Sequence, residues 1–528
     1  MKKQQLRSEV IVEPLVERWH AWPYLLSPLS LGFWATGRLF PMLEQYLADP
    51  EAGHRAALAP SALGAWLPRV EPARAPELAR LLDRMRSRWA APLALANAYQ
   101  HLVGQLAAEH QGDSMGELYR SLDPSLAGAV ELHYDLGHHP RVQVKEALLF
   151  EERAALRASQ SISLSVAPAG DRLPAFSTPR LSPPESVELS LPFDSPALDA
   201  LAMARVRPVE VHALAEQLGV RPEQRRMFEG FFTDEHPPAP RYAGSGVRVR
   251  YFNHACVLLE SAATTVLTDP WLAYAPPGAN DRLSIADLPE RIDYVVITHS
   301  HADHLVFETL LALRPRIGTV VVPRAAGNPV DPSLRRMLVD QGFRKVVEVE
   351  DLDRINFEDG AITALPFLGE HGELPFTGKS TYRVELAGRH FFIGADANGI
   401  DVEAYRRSRL DHPPIDLAFL GMECEGAPVT WMYEPFLERP LPLAAANSRR
   451  LDGCNSGRAE LLLSALDARA VLVYALGTEP WLRYISSISF SPTSPPILEA
   501  DRLIARFQAR GLAADRLHGS AELQLDSA

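Results

Sequence analysis

The sequence predicts an α/β protein in two parts: an N-terminal α+β domain over residues 1–240 and a layered α/β domain over residues 241–528. Three observations support this. Helical periodicity dominates residues 1 to about 125, and strand-like runs come only after it. The segment Asp234-Glu235-His236-Pro237-Pro238-Ala239-Pro240 places three prolines in four positions, which neither a helix nor a central strand accommodates. Beyond this linker, short β-rich runs follow one another closely, some of them separated by helical segments.

In the N-terminal part, residues 18–47 are rich in Leu and Trp, and residues 76–111 alternate Leu and Ala with Arg and Glu at helical spacing. Residues 129–134 and 160–166 read as strands, the second with polar alternation. Residues 167–186 hold five prolines and several serines and read as a loop, with a further strand at 187–191. Residues 209–218 form a short helix, and a charged helix follows near 222–232. After the linker, strands are expected at 247–252, 256–260, 265–268, 294–297, 319–322, 345–349, 362–365, 381–386, 391–393, 416–419 and 471–474. Helices are expected at 307–313 and 333–341.

Composition narrows the function. The chain has 528 residues, 47% hydrophobic and 23% charged, ordinary values for a globular protein. Its net charge of -13 argues against a general nucleic-acid binder, which needs a basic footprint. Three cysteines (Cys256, Cys424, Cys454) without a CxxC pair argue against a disulfide framework or a zinc finger, and favour a reducing cytoplasm. No apolar run is long enough for a membrane span, and the lysine-containing N-terminus lacks the apolar core of a secretory signal.

The chemistry concentrates in Thr298-His299-Ser300-His301-Ala302-Asp303-His304, directly after the apolar run Tyr294-Val295-Val296-Ile297. Four metal-ligating side chains within six residues are hard to explain by packing. Side chains alternate in extended chain, so His299 and His301 can face one ion. Asp303 and His304 continue into an expected helix start at Leu305 and face elsewhere, towards a second ion. Two further strand-to-loop junctions carry ligand types: Gly369-Glu370-His371-Gly372-Glu373 and Gly394-Ala395-Asp396-Ala397-Asn398. A carboxylate such as Asp396 can bridge two cations with its two oxygens; in the first loop either Glu370 or His371 can be the ligand. Glu423 and His254 are further polar residues to place, and the aromatic stretches 430–436 and 480–484 are candidates to wall a channel.

This layout resembles the metallo-β-lactamase superfamily from about Gly246 onwards, which implies a C-terminal αββα sandwich. Asp269, in Thr268-Asp269-Pro270-Trp271, matches the superfamily aspartate that supports the ligand loops, and Asp396 matches its bridging aspartate. Hydrolases of the superfamily add a histidine at the third motif and another late in the domain. Here the late segment reads Tyr474-Ala475-Leu476-Gly477-Thr478-Glu479-Pro480-Trp481, with no histidine. These departures resemble a narrower family, the diiron β-hydroxylases that act on carrier-bound amino acids in antibiotic biosynthesis. That resemblance implies metal ligands at His299, His301, Asp303, His304, Glu370 and Asp396, with Glu370 and Asp396 also catalytic.

The donor types suit that chemistry. Two imidazoles with carboxylates match the ligand preference of non-haem iron oxygenases, and anionic oxygens stabilise Fe3+ over Fe2+. The resemblance then implies two iron ions, O2 as cosubstrate, and β-hydroxylation of an aminoacyl thioester on the carrier domain of a nonribosomal peptide synthetase. Electrons would come from an external donor or reductase, since no flavin or nicotinamide fingerprint is present. The N-terminal domain would serve homodimerisation or carrier docking, with Arg225-Arg226 and Arg449-Arg450 as basic candidates for an acidic carrier. The alternative is a dizinc hydrolase of a lactone, thioester or β-lactam.

Overall fold

The structure, a computed structural model, describes residues 3–527 except 60–65, 110–113, 151–153, 169, 183–184, 236–241, 275–280, 410–411, 447–452 and 488. Most of the proline linker and the Arg449-Arg450 pair lie outside the described residues.

The N-terminal part is not helical from its start. Val10–Val16 is a strand, buried along its whole length, at the heart of a four-stranded antiparallel sheet. The order is Trp19–His20, Val10–Val16, Gln160–Val166, Val187–Leu189. Glu13 and Pro14 disguise this strand in the sequence. Glu13 is tolerated inside because Arg180 donates to both its carboxylate oxygens at 3.1 Å. The helices follow as expected. In Ala75–Arg88 the buried residues Leu78, Leu81, Leu82 and Met85 recur at helical spacing, with Glu77 in the first turn and arginines in the last. The charged segment near 222–232 is shorter than expected. It makes one 3-10 turn and the helix Arg225–Glu229, and ends in the strand Phe232–Thr233, which pairs with Gln5–Leu6.

The C-terminal part contains two seven-stranded sheets. One orders Val346–Val349, Ile317–Pro323, Ile292–Val296, Thr265–Thr268, Cys256–Glu260, Val247–Asn253 and Ala521–Leu525. The other orders Arg354–Phe357, Gly360–Leu365, Thr381–Leu386, Arg389–Ile393, Leu417–Gly421, Ala470–Tyr474 and Ala513–Arg516. Their inner faces meet through Val249, Tyr251, Val257, Val296, Val384, Phe391, Phe419 and Tyr474. Helices Val402–Arg409, Ser456–Ala465 and Pro495–Ala509 pack on the outer face of the second sheet. Helices Phe307–Leu313 and Leu334–Asp340 cover the first, in a core continuous with the N-terminal part. This is the αββα order of layers.

In each sheet four neighbouring strands run parallel. Their carboxyl ends carry Asp269, the His299–His304 loop, Asp396 and the Gly421–Glu423 turn, so loops of both sheets open on one edge of the sandwich. No helix among the described residues is long and apolar enough to cross a membrane.

Candidate metal centre

The His299–His304 segment is a turn. His304 N and Leu305 N both bond His301 O, at 3.0 and 2.8 Å, and the helix begins only at Phe307. The expected start at Leu305 is therefore two residues early. This turn lets Asp303 and His304 diverge from His299 and His301.

Asp269 anchors the turn. It is fully buried at φ 32, a left-handed backbone setting. Its Oδ1 accepts Thr298 N–H at 2.7 Å, and its Oδ2 accepts the Thr298 hydroxyl at 2.6 Å and lies 2.9 Å from His304 Nδ1. With Nδ1–H committed to Asp269, His304 presents Nε2 as a lone pair. That atom lies 3.0 Å from Asp396 Oδ2, and His299 Nε2 lies 3.4 Å from the same oxygen. Neither nitrogen makes a hydrogen bond among the described residues, although both are fully buried. Two imidazole nitrogens converging on one carboxylate oxygen fit a bound cation.

The other predicted residues gather around this pair. His301 Nδ1 lies 3.9 Å from Glu370 Oε1, and Asp303 Oδ2 lies 3.2 Å from His254 Nε2. Within 4.8 Å, ligand atoms group as His299, His304, Asp396; as His254, Asp303, His304; and as His299, His301, His371. Glu370 thus sits at the edge of the cluster, and His371 lies inside it. A fourth group, Glu13, His20 and Glu308, is a neutralised ion network and not a metal site. Arg180 binds Glu13, and Arg172 donates to both oxygens of Glu308 at 2.9 and 2.7 Å.

The electrostatics favour cations. Burial and the neighbouring imidazoles hold His299 and His371 well below the usual histidine range, and burial pushes His301 down to about 4. All three imidazoles are neutral at ordinary pH. Burial also opposes a charge on His304, but the Asp396 and Asp269 carboxylates override it and raise its pKa. Burial would raise Asp303, yet the bond from His254 and the charge of His304 pull it down. Burial, then repulsion from Asp396 and Glu423, raises Glu370 well above the usual carboxyl range. Metal ions would relieve that crowding of buried carboxylates. The donor set is imidazole and carboxylate without thiolate, which suits non-haem iron.

Glu370 rides on an unusual loop. Gly369, Glu370, His371 and Gly372 all have positive φ, at 83, 60, 58 and 62°. Two consecutive non-glycine residues in this region are strained, a feature concentrated at functional sites. The loop is held by Lys379 Nζ, which donates to Gly369 O at 2.5 Å, by Asn398 N bonded to Leu368 O at 3.2 Å, and by stacking of His371 on Phe376 at 4.1 Å.

A cleft reaches His301, Asp303, Glu370, Asp396 and Glu423 from outside. Its apolar walls come from both halves of the chain: Trp66 and Phe176 from one, Trp431, Met432 and Ile485 from the other. The expected aromatic stretch at 430–436 is thus part of this wall, while Trp481 and Tyr484 line a separate cavity with Arg172 and Arg282. Two more side chains join the cluster, Tyr433, which the sequence offered only as part of an aromatic stretch, and His254, a candidate there. Tyr433 Oη lies 2.6 Å from His301 Nε2 and 2.7 Å from His371 Nδ1. His254, whose ring packs edge-on to His304 and Trp271, meets Asp303; its neighbours in the fold include Ala475, from the segment that lacks the late histidine. The Tyr251-Phe252-Asn253-His254 hairpin was the only hint of it.

Comparison with known proteins agrees with this centre. Residues 5–237 match the family described as the diiron non-heme beta-hydroxylase N-terminal domain, and residues 264–427 match a beta-lactamase superfamily domain. A curated relative, the 4-amino-L-phenylalanyl-[CmlP-peptidyl-carrier-protein] 3-hydroxylase of Streptomyces venezuelae, is 34% identical over 99% of this chain and 100% of its own. The crystal structure of CmlA, a diiron beta-hydroxylase from the same organism, superposes with a TM-score of 0.92 at 32% identity, covering 99% of this chain and 100% of that one. The cytidine monophosphate-N-acetylneuraminic acid hydroxylase of Asterias rubens is 36% identical over only 16% of this chain and 14% of its own. The chain belongs to the diiron non-heme beta-hydroxylase family, with a metallo-β-lactamase-fold C-terminal domain and a separate N-terminal domain.

Proposed function

We propose that this enzyme hydroxylates the β-carbon of an aminoacyl group carried as a thioester on a peptidyl carrier domain of a nonribosomal peptide synthetase. The whole-length likeness to a hydroxylase named for a carrier-bound aminoacyl substrate carries this reading. The cleft supports it: the metal-facing end is polar and the walls are aromatic and aliphatic, which suits a bulky apolar or aromatic amino-acid side chain.

In this reading His299, His301, Glu370 and Asp396 would hold one iron, and Asp303, His304 and Asp396 would hold the other. When bound, the irons would supply reduction of O2 and oxidation of the C–H bond. The sum is R–H + O2 + 2e− + 2H+ → R–OH + H2O, with the electrons from an external donor. The residues of this chain do the rest. Asp269 and His254 orient His304 and Asp303. Lys379 fixes the loop that presents Glu370. Trp66, Phe176, Trp431 and Met432 exclude water and align the side chain, and the carrier tether raises its local concentration. We take residues 1–240 and 241–528 as the two domains. The N-terminal one shapes the cleft and serves carrier docking or homodimerisation.

Metal substitution tests this. Iron-loaded enzyme, given O2, reductant and carrier loaded with aromatic amino acids, should add one oxygen to the tethered residue, and zinc-loaded enzyme should not. Stoichiometric zinc with release of free amino acid from the carrier would instead mark a hydrolase.

A further inference from the structure

We propose that Asp331 is a positioning residue for the metal centre, the joint through which the N-terminal part of the chain holds both ligand-bearing loops at one spacing. Asp331 belongs to none of the ligand groups among the described residues. It is fully buried, in the turn that follows the strand Ile317–Pro323. One of its oxygens, Oδ2, accepts from Ala326 N–H at 2.9 Å, Thr377 N–H at 2.8 Å, the Thr377 hydroxyl at 3.2 Å and Gly378 N–H at 3.1 Å. Gly378 permits this close approach, since a Cβ there would lie 2.6 Å from Asp331 Oδ1. That second oxygen has no hydrogen-bond partner among the described residues. A buried carboxyl with one oxygen unused is costly to keep, so its worth lies in what the other oxygen holds.

Oδ2 holds the segment that touches both ligand loops. On one side, Ser380 N–H donates to Thr298 O at 2.8 Å, and Lys379 pairs with His299 in an isolated antiparallel bridge. These contacts fix the entry to the His299–His304 turn. On the other side, Lys379 Nζ donates to Gly369 O at 2.5 Å, and Phe376 stacks on His371 at 4.1 Å. These contacts fix the loop that carries Glu370. Residues 376–380 therefore set the distance between the two loops, and Asp331 sets residues 376–380.

The turn around Asp331 is held in its own place from the N-terminal part. Tyr24 Oη donates to Val330 O at 2.8 Å, and Ser30 Oγ donates to Pro329 O at 2.7 Å. Glu146 accepts Ser333 N–H at 2.8 Å and the Ser27 hydroxyl at 3.0 Å. Tyr24, Ser27, Ser30 and Glu146 are all buried. Breaking any of these bonds would leave a polar group unpaired away from water, so they resist displacement. A continuous set of contacts thus runs from Tyr24 and Ser30 through the 329–333 turn and Asp331 Oδ2 to residues 376–380, and from there to both loops. Asp331 acts on the metals only through the residues it holds.

Asp331 can act this way only if the ligand set proposed above holds metal, whatever reaction follows. Full-length enzyme loaded with cobalt(II) tests it without turnover: visible absorption reports the coordination of the ion, and chelator competition reports its affinity. In Asp331→Ala, cobalt affinity should fall about tenfold or more, with displaced absorption bands. Asp331→Asn keeps an accepting oxygen and should recover most of that loss. Tyr24→Phe, a milder change at the far end of the path, should also weaken cobalt binding, and its effect should vanish once Asp331→Ala is present. An Asp331→Ala protein that melts earlier but keeps the wild-type bands and affinity overturns the proposal, because Asp331 would then serve the fold alone. So does a Tyr24→Phe effect of equal size with and without Asp331→Ala. Should Asp331→Ala fail to fold, Tyr24→Phe decides: unchanged bands and affinity overturn the proposal. A wild-type protein that binds no cobalt overturns the ligand set itself, and the proposal with it. Cobalt results as predicted, with hydrolysis in place of hydroxylation, would refute the proposed reaction and uphold the role of Asp331.

Discussion

Gly369→Ala should disable the enzyme far more than it destabilises the fold. An added Cβ would lie 1.7 Å from Asn398 Nδ2, 2.0 Å from its Cγ and 2.4 Å from its Oδ1, whereas ordinary contact begins at 3.4 Å. Asn398 cannot simply withdraw. It is buried, its Oδ1 accepts Ile400 N–H at 3.0 Å, and its own N–H holds Leu368 O. The loop must therefore shift by roughly the missing 1.7 Å (3.4 less 1.7). Alanine at φ 83 adds about 1–2 kcal/mol of backbone strain. Displacements near 1 Å at a reacting centre cost on the order of 100-fold in rate. The expected result is a loss of at least about 100-fold in hydroxylation per bound carrier, measured by single-turnover mass spectrometry, with melting shifted by only a few degrees. A variant within threefold of wild type would refute the claim that this loop fixes Glu370.

Other consequences are independent of that loop. Asp269→Asn removes the acceptor that sets the His304 tautomer, and iron affinity of the second site should fall about 10- to 100-fold in chelator competition; unchanged affinity would contradict the anchoring role. Arg172→Ala leaves the buried Glu308 carboxylate unpaired, so chemical denaturation should show a loss of about 3–5 kcal/mol, and a loss below 1 kcal/mol would mean that the network carries little. Glu146, bonded to Ser27 and Ser333 across the two halves, is raised by burial to about 7. A carboxyl raised above its unfolded value stabilises at low pH, and that contribution disappears as pH rises from about 4.5 through 7, some 3 kcal/mol in all. Glu146→Gln should therefore gain about that much on wild type between pH 5 and pH 8 in urea unfolding; a pH-independent difference would contradict the shift.

The sequence exposed what is local. His299, His301, Asp303 and His304 sit within six residues after a buried strand, so they stood out as metal-ligand candidates without any fold. Asp269 and Asp396 were legible because each ends a strand in a recognisable order. Tyr433 was not: it reaches His371 and His301 across 62 and 132 residues of chain, and a tyrosine within an aromatic stretch looks like packing. His254 was legible as a candidate, but its pairing with Asp303 was not. The strand Val10–Val16 was missed because Glu13 and Pro14 break its apolar run, and only Arg180, far along the chain, makes Glu13 tolerable there. The choice between Glu370 and His371 could not be read from neighbouring letters at all, since both ride on one loop beside the same cluster.

The central claim is that this centre inserts oxygen and does not hydrolyse. Prereduced, iron-loaded enzyme should be exposed to 18O2 with aminoacyl carrier and the tethered product weighed. One 18O atom at the β-carbon, with the thioester intact, is the predicted result. Free amino acid whose new oxygen comes from water, with none from 18O2, would contradict it.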